Sequence, residues 1–330
     1  MVPPRGELVL IAPLNWGLGH ATRCIPIIYD LLEQKNRVII AADGLPLMLL
    51  QKEFSQQKTV EFLEFPSFKI HYSATSSQVW AMLGSIPKIV QGIVHEHRKL
   101  QQIIREKNIN FVISDNRFGL WTQQVPCAYI THQLMIKMPR SLRFLEPVAW
   151  ALHRLVITRY TECWIPDFAG SPNLSGDLSH KYPLPQNARF IGNLSRFSCM
   201  EDIVPTETFH TVVVVSGIEP QRSMFEKLLI EKYASQPEKT LIIQGLPQQE
   251  TVRRKIGSVT LLSHLSASEL KAQLCAAKKI VCRSGYSTIM DLHALGITHK
   301  ATFIPTPGQT EQEYLAKLHE KEFLQKQKKH

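Results

Sequence analysis

A histidine that follows two closely spaced glycines is the residue best placed for acid-base chemistry in this sequence. Residues 12–23, APLNWGLGHATR, come after a short apolar run and lead into residues with the apolar spacing of a helix. His20 therefore falls at the start of a predicted helix, whose positive end disfavours the imidazolium form. A neutral imidazole in that position can accept a proton, which suits a general base. The alternative is a histidine that only packs or caps the helix.

The glycines of this loop, Gly17 and Gly19, match only the first part of the dinucleotide-binding fingerprint G-x-G-x-x-G. The third position is Thr22, whose side chain would hinder the close packing of helix on strand that the third glycine serves. Asp43, after the second predicted strand, offers an acid for a ribose. An NAD-dependent oxidoreductase therefore stays an alternative, although the fingerprint leaves His20 unexplained.

A turn rich in small residues in the second half suits a phosphate ligand. Residues 282–291, CRSGYSTIMD, predict a strand, a turn and a helix. Backbone N–H groups and hydroxyls at such a helix start attract a diphosphate, although a plain capping turn would have the same pattern. Asp291 is placed to accept ribose hydroxyls or to act only as an acidic partner of the helix dipole. Arg283 offers positive charge to a leaving group or lies at the surface.

A loop near the end of the sequence carries side chains that can hydrogen-bond a sugar. Residues 305–316, PTPGQTEQEYLA, follow the last predicted strand, and their Pro and Gly residues fix a loop there. Gln309 and Gln312 then stand at the carboxyl end of a strand, the usual ligand position in an open α/β sheet. Thr310 and Glu313 have the spacing of a capping box, so Glu313 serves either the ligand or the helix start.

Three further candidates follow strands of the first half. Asp115 and Asn116 lie in SDNRFG, residues 114–119, and His132 lies in THQ, residues 131–133. Each stands where a side chain can contact an acceptor substrate. The alternatives are a simple turn for Asp115 and Asn116, and a local hydrogen bond for His132.

The elements that would position these residues alternate between apolar strands and amphipathic helices, which is typical of an α/β fold with parallel sheets. The rhythm starts again after Pro205, so we expect two α/β domains that face each other across a cleft. The predicted boundary gives domains of residues 1–196 and 197–330. The predicted strands are 7–14, 37–42, 111–114, 128–131, 211–215, 240–244, 279–282 and 301–304, and the predicted helices are 21–33, 82–107, 220–233, 267–277 (with a capping box at 266–269), 287–295 and one that Thr310 caps.

Composition limits the compartment and the partners. The net charge of +10 favours an anionic partner, but no nucleic-acid-binding module or basic cluster with stacking aromatics accompanies it, so we expect no nucleic-acid partner. The 6 cysteines are scattered singly without zinc-like spacing, which predicts neither a disulfide framework nor a structural metal. No segment resembles a signal peptide or a membrane span, so we expect a cytoplasmic protein.

A basic and aromatic segment could touch a membrane surface. Residues 138–160, MPRSLRFLEPVAWALHRLVITRY, predict a helix that starts at Pro147 and has an apolar stripe of Ala149, Leu152 and Val156. With its arginines, such a segment suits an anionic membrane that presents a lipid acceptor. The alternative is an ordinary helix that packs on the sheet and exposes a basic face.

Taken in order, the motifs G-x-G-H-A-T-R, R-S-G-Y-S-T-x-x-D and P-x-P-G-Q-T-E-Q-E-Y resemble those of GT-B glycosyltransferases, over nearly the whole chain. The group they resemble is glycosyltransferase family 28-like and contains the lipid II-forming N-acetylglucosaminyltransferase and the diacylglycerol glycosyltransferases. This resemblance implies two Rossmann-like domains, of which the first binds an acceptor hydroxyl and the second binds a nucleotide-diphosphate sugar, expected to be a UDP-sugar. It also implies inverting hexosyl transfer with no cofactor and no obligatory metal. A lipid or cell-envelope acceptor would place the protein on the inner face of the plasma membrane, and a sugar-nucleotide epimerase of the same fold is a further alternative.

Carried over motif by motif, the resemblance makes His20 the base on the acceptor hydroxyl. It assigns Leu265 to the nucleobase and Asp291 to the ribose, although relatives commonly have Glu there. Gln312 matches a sugar-contacting glutamine, but Leu315 stands where many relatives have Asn, so the donor sugar stays open. Together, the residues assigned to the donor are Gly17, Gly19, Ser216, Gly217, Arg222, Gln244, Gly245, Leu265, Arg283, Ser284, Gly285, Tyr286, Ser287, Thr288, Asp291, Gln309 and Gln312.

Overall fold

The computed structural model describes residues 5–67, 86–247 and 251–327, with the backbone alone for Ile86 and for residues 322–327. In the first half, the described strands are β1 (Leu8–Pro13), β2 (Arg37–Ala42), β3 (Val60–Glu64), β4 (Phe111–Asp115), β5 (Cys127–Ile130), β6 (Glu162–Ile165) and β7 (Ala188–Phe190). They form one sheet in the order β3-β2-β1-β4-β5-β6-β7, and every pair of neighbours is parallel.

Helices cover both faces of this sheet. In the described part of the first half they are α1 (Gly19–Glu33), α2 (Gly44–Phe54), α3 (Ile86–Lys107), α4 (Glu146–Ile157) and α5 (Asp177–His180). Alternate residues of β1 enter different cores: Val9 and Ile11 pack with α1 and α2, whereas Leu10 and Ala12 pack with α3. Because both faces are covered, central strands read as continuous apolar runs such as LVLIAP.

The second half repeats the architecture. Its described strands are β8 (Thr211–Val214), β9 (Thr240–Ile243), β10 (Arg253–Ile256), β11 (Val259–Leu262), β12 (Lys279–Cys282) and β13 (Ala301–Phe303), and its helices are α6 (Gln221–Tyr233), α7 (Ala267–Ala276), α8 (Tyr286–Ala294) and α9 (Thr310–Gln327). The sheet order is β10-β11-β9-β8-β12-β13, with only the edge strand β10 antiparallel to its neighbour. The predicted α/β class with two Rossmann-like domains is therefore confirmed. Within the residues described, no helix is long and apolar enough to cross a membrane.

Each predicted strand is present, with its ends within one residue of the prediction. Among the predicted helix starts, the capping box of Ser266 and Glu269 is formed, and Pro147 lies in the first turn of α4. Residues 82–85 of one predicted helix lie outside the described residues. The predicted capping box at Thr310 is wrong, because the Thr310 hydroxyl donates to Lys137 O at 2.5 Å, whereas Glu313 accepts from Gly308 N–H at 3.3 Å.

The chain leaves the first sheet at Phe190 and enters the second at Thr211. The domain boundary between residues 196 and 197 lies in this interval and stays a prediction. After the second sheet is complete, α9 returns to the first half. Its Tyr314 hydroxyl accepts a hydrogen bond from Asp177 N–H at 2.7 Å, and His319 Nε2 lies 3.0 Å from Leu174 O. The two halves are therefore joined by the last helix as well as by the interdomain segment.

Gly176 is expected to be needed for this packing. Its φ of +52° is unfavourable for other residues, and an added Cβ would collide with the Tyr314 hydroxyl and approach Leu318 Cδ2 to 2.9 Å. We expect Gly176→Ala to lower the free energy of unfolding by about 2 kcal/mol, measured by urea denaturation. Gly170→Ala in the same loop is the control, since a Cβ there meets nothing within 4 Å. Equal stability of the two variants would contradict this account of α9 packing.

Candidate functional site

The carboxyl ends of the two sheets face each other across a cleft of about 290 Å³. Its walls come from loops after β1, β4 and β5 in the first half, and after β8, β9, β11, β12 and β13 in the second. This is the ligand position expected for open parallel sheets. The predicted interdomain cleft is therefore present, and most of the predicted site residues line it.

His20 lies in the first turn of α1 and lines the cleft, with 14 % of its side chain exposed. Its Nδ1 is 3.0 Å from Asp115 Oδ1, and Arg23 Nη2 approaches the same nitrogen at 3.0 Å. Arg23 Nη2 also donates to Asp115 Oδ1, so we assign the Nδ1 proton of His20 to the hydrogen bond with Asp115, which leaves Nε2 unprotonated for a substrate. Burial lowers the pKa of His20 below its ordinary value of 6.5, against the opposing effect of Asp115. The side chain is therefore neutral at neutral pH, as a general base must be.

Asp115 is buried and does not line the cleft, and its predicted acceptor contact stays a prediction. Its side chain ends β4 with no exposed surface, and Arg23 Nε donates to Oδ2 at 2.7 Å while Arg23 Nη2 donates to Oδ1. Burial alone would raise the pKa of Asp115, but the Arg23 guanidinium and His20 hold it well below its usual range. Asp115 is thus a permanent anion that fixes the orientation of His20.

His132 lines the cleft, but both ring nitrogens already have partners. Arg23 Nη1 lies 3.0 Å from Nδ1, and Glu311 Oε1 lies 2.7 Å from Nε2. The ring also stacks on Tyr286, with centroids 4.1 Å apart and planes inclined by 4°. Both ring nitrogens are therefore used by contacts within the protein, which include Glu311 of the second half, and the acceptor contact of His132 stays a prediction.

The first turn of α8 forms the wall opposite His20. Gly285, Tyr286, Ser287 and Thr288 line the cleft there, where free N–H groups and the helix dipole attract anions. The Ser287 hydroxyl donates to Gly19 O at 2.8 Å, so the loop that precedes His20 touches this helix start. The candidate base and the candidate anion site therefore come from different halves and are neighbours.

Two glycine loops also meet across the cleft. Gly17 has a φ of +83°, and a Cβ built there would lie 3.9 Å from the Cα of Gly217, which has a φ of +113°. Gly245 has a φ of +68°, and a Cβ there would lie only 2.6 Å from Val215 O. With Ser216, these glycines line the cleft as predicted, and their lack of side chains leaves backbone groups accessible to a ligand.

One end of the cleft is largely apolar. The side chains there include Val214, Ile243, Leu265 and Leu270, so the predicted nucleobase residue Leu265 is in the cleft wall. His264 lies beside them, buried, and burial lowers its pKa to about 4. This imidazole is neutral at neutral pH, and the region suits a flat and uncharged group such as a nucleobase.

Asp291 lines the cleft, but its carboxylate is already used. Ser195 Oγ donates to Oδ1 at 2.8 Å and Arg196 Nε donates to Oδ2 at 3.1 Å, so a ribose hydroxyl would have to share these oxygens. Arg196 itself lines the cleft and was not predicted.

Gln309 and Gln312 lie in the cleft wall, as does Asn116. Gln312 Oε1 accepts from Thr306 N–H at 2.9 Å, which leaves its amide NH₂ group for a ligand. Asn116 has a φ of +57°, and its Oδ1 accepts from the Tyr129 hydroxyl at 2.9 Å. The side-chain amides of Gln312 and Asn116 are therefore held in place by the protein and remain beside the cleft.

Neither arginine predicted to neutralise phosphate lines the cleft, and a contact of either with phosphate stays a prediction. Arg222 lies on α6 and pairs with Glu219 at 2.6 Å and with Glu226 at 2.7 Å. Arg283 is buried over the Phe225 ring at 3.7 Å and donates to carbonyls of the β13 loop. Burial lowers the pKa of Arg283 to about 10. Both side chains therefore make their contacts within the second half.

Two other residues predicted to bind the donor direct their side chains to partners within the protein. Gln244 turns toward α6, where its Nε2 donates to Glu226 at 2.5 Å. Ser284 is fully buried, and its hydroxyl donates to Gln312 O at 2.7 Å. In each case a polar side chain beside the cleft satisfies a neighbour in the protein, which sequence spacing alone does not reveal.

Arg23, Glu311 and Arg196 were missed by the sequence analysis. Arg23 was quoted in the motif G-x-G-H-A-T-R, and its spacing of three from His20 puts both on one face of α1. Glu311 lies in the quoted stretch PTPGQTEQEYLA. A signal for their roles was therefore present, but their partners follow the sheets and are distant in sequence.

Comparisons with solved structures identify the fold. Neither a protein-family model nor a curated protein matches the chain. A crystal structure of the glycotransferase of kitacinnamycin matches with a TM-score of 0.59 at 14% identity, covering 96% of this chain and 85% of that one. The crystal structure of LpCGTa in complex with UDP matches with a TM-score of 0.55 at 13% identity, covering 95% and 83%. A putative UDP-N-acetylglucosamine 2-epimerase from Listeria monocytogenes matches with a TM-score of 0.51 at 12% identity, covering 97% and 89%. The chain therefore has the GT-B fold.

Proposed function

We propose that this protein is an inverting glycosyltransferase that moves a sugar from a nucleotide-diphosphate sugar to an acceptor hydroxyl. The observation that carries the proposal is the position of His20, a neutral imidazole held by Asp115 across the cleft from the first turn of α8. A base and an anion site on opposite walls are what displacement of a diphosphate by a hydroxyl requires. Structures with this fold include the glycotransferase of kitacinnamycin.

In the proposed reaction, the acceptor oxygen attacks the anomeric carbon of the donor while His20 Nε2 takes the hydroxyl proton. The new bond joins the acceptor oxygen to that carbon, and the bond from carbon to the diphosphate oxygen breaks on the opposite face. The nucleoside diphosphate leaves with the bonding electrons. Because attack and departure occur on opposite faces of the anomeric carbon, the configuration of that carbon inverts. Asp115 stabilises the imidazolium, and the α8 N-terminus with Arg196 receives the leaving charge.

The proposed donor is a UDP-sugar bound mainly by the second half, with the acceptor bound by the first. The apolar end of the cleft at Leu265 suits the nucleobase, the turn at Gly285 suits the diphosphate, and Gln312 suits the sugar. The matched LpCGTa structure contains UDP, which supports this choice of nucleotide. We propose that no cofactor takes part and that no metal is required, so transfer should persist in EDTA.

Calorimetry and a donor panel test the proposal. Titration with UDP, other nucleoside diphosphates and NAD should give binding of a nucleoside diphosphate. NAD binding without nucleoside diphosphate binding would instead favour the oxidoreductase. A nucleotide sugar that is converted to its epimer without any acceptor would favour the epimerase, an alternative that the matched Listeria protein keeps open.

We further propose that the acceptor is lipid-linked and reached from an anionic membrane surface. Phe144, Val148, Leu152 and Leu155 form one exposed row along α4 and the turn before it, each 54–72 % exposed. Of the predicted stripe, Leu152 is exposed and Ala149 and Val156 are half-buried, while the inward face of α4 is formed by Glu146, His153 and Ile157. Exposed arginines flank the apolar row and suit anionic headgroups: Arg140, Arg143, Arg154 and Arg159.

Flotation with liposomes checks the membrane contact. We expect the protein to float with vesicles of anionic lipid, and the double variant Leu152→Ser with Leu155→Ser to remain in the soluble fraction, since it loses apolar area but keeps every charge. Met224→Ser with Leu228→Ser is the control, because it removes an exposed apolar pair from α6. Equal flotation of both double variants and the wild type would contradict a contact through α4.

A further inference from the structure

A continuous series of hydrogen bonds and ion pairs crosses the cleft from α9 to α1. It starts at Glu311, passes through His132 and Arg23, and reaches the Asp115 and His20 pair. Only Glu311 belongs to the second half. The proposed reaction assigns roles to His20 and Asp115 but gives none to Glu311.

The chemistry of arginine fixes the direction of these bonds. A guanidinium only donates hydrogen bonds, so His132 Nδ1 must accept from Arg23. The single proton of neutral His132 is then on Nε2, which donates to Glu311 Oε1 at 2.7 Å. A carboxylate at Nε2 therefore favours the His132 tautomer that accepts from Arg23.

The His132 ring has little freedom to adopt another arrangement. Tyr286 stacks against it in a nearly parallel plane, and the Tyr286 hydroxyl donates to Pro166 O at 2.8 Å. The stack fixes the plane of the ring, while Arg23 and Glu311 fix its rotation within that plane. Two of these three contacts come from the second half, so they exist only when the halves are together.

We propose that Glu311 is a positioning residue that acts through His132 and Arg23 to hold His20 and Asp115 in their reactive arrangement. The alignment of His20 then depends on the two halves being closed over the donor. The base role of His20 rests on the proposed function, whereas the positioning of its ring does not. A residue that only contacts the donor would not affect the orientation of the His20 ring, whereas Glu311 should.

A double-mutant cycle tests whether Glu311 acts through His132. Glu311→Gln should lower kcat at least tenfold while the Kd for UDP changes less than twofold. His132→Phe keeps the stack on Tyr286 but removes both hydrogen bonds, and Glu311→Gln should have less than a twofold further effect in that background. Glu320→Gln, the same change at an exposed position of α9, should match the wild type. Independent, multiplying effects of the two site variants would overturn the proposal.

An NMR titration of the His20 ring gives a readout without substrate. The charged or titratable groups that face His20 are Asp115 from β4, Arg23 from α1, His132 after β5 and Glu311 from α9. Removing the Glu311 anion should lower the His20 pKa by at least half a unit, and Glu320→Gln should leave it unchanged. An unchanged His20 titration in Glu311→Gln would overturn the proposal. Absence of sugar transfer by the wild type would instead count against the proposed function, and this titration would still decide the role of Glu311.

Discussion

Replacing His20 by alanine is expected to lower kcat for sugar transfer by roughly 10³-fold, because removal of a general base leaves the acceptor hydroxyl to ionise unaided. The affinity for UDP should stay within about twofold of the wild-type value. The regions proposed to bind the diphosphate and the nucleobase belong to the second half, and the substitution leaves them untouched. Initial rates with a donor and an acceptor that the wild type uses give kcat, and calorimetry with UDP gives the affinity.

The control for this variant is His95→Ala, which removes an exposed histidine from α3. It should keep wild-type activity, so that the loss can be assigned to position 20. A His20→Ala protein with unchanged turnover would show that His20 is not the base. Loss of UDP affinity together with activity would instead indicate that the loop had been displaced.

The pH dependence of the wild type should have the matching sign. Burial lowers the pKa of His20, so the side chain remains unprotonated until the pH falls below its ordinary value of 6.5. The acid limb of kcat/KM is therefore expected below pH 6.5, with activity rising as the pH increases through it. The limb should be missing from the residual activity of His20→Ala.

Continuous apolar runs were sufficient to predict central strands such as β8 and β12, although the largely buried strands β6 and β11 were not predicted. Runs such as TVVV in β8 and KIVC in β12 are apolar because helices cover the sheet, and the sequence pattern reports that burial directly. The edge strand β10, RRKI, was not predicted because all of its residues are exposed, so no run of apolar residues marks it. Propensity carries little information at such an edge.

Within the site, the sequence indicated which loops face the cleft better than which side chains do. Gly285 and Gln309 line the cleft because they follow strands whose ends define it. Arg283 also follows a strand, yet its guanidinium turns away to bind the carbonyls of Ile304 and Pro305. The direction of a long polar side chain depends on unpaired groups elsewhere in the fold, which no local pattern shows.

The same reasoning explains why Asp115 was assigned to the acceptor. An acid at the end of a parallel strand normally faces a ligand, but here α1 supplies Arg23 directly above it. The buried guanidinium needs a fixed anion, and the anion in turn holds the imidazole. One buried pair therefore stabilises the fold and orients the base, so a change at Asp115 should affect both properties.

Asp115→Asn is accordingly expected to lower kcat by roughly 10³-fold, since an asparagine neither stabilises the imidazolium nor enforces the required tautomer of His20. It should also lower the free energy of unfolding by about 3 kcal/mol, because Arg23 would remain charged and buried without its partner. Urea denaturation and initial rates measure the two effects.

The double variant Arg23→Gln with Asp115→Asn separates these effects. Removing both charges together should recover much of the lost stability, because no buried charge is then left unpaired. Activity should remain low, since the neutral amides cannot stabilise a protonated His20 in the transition state. A stable double variant with wild-type kcat would show that Asp115 only balances the charge of Arg23, and the base would then have to work without an orienting anion.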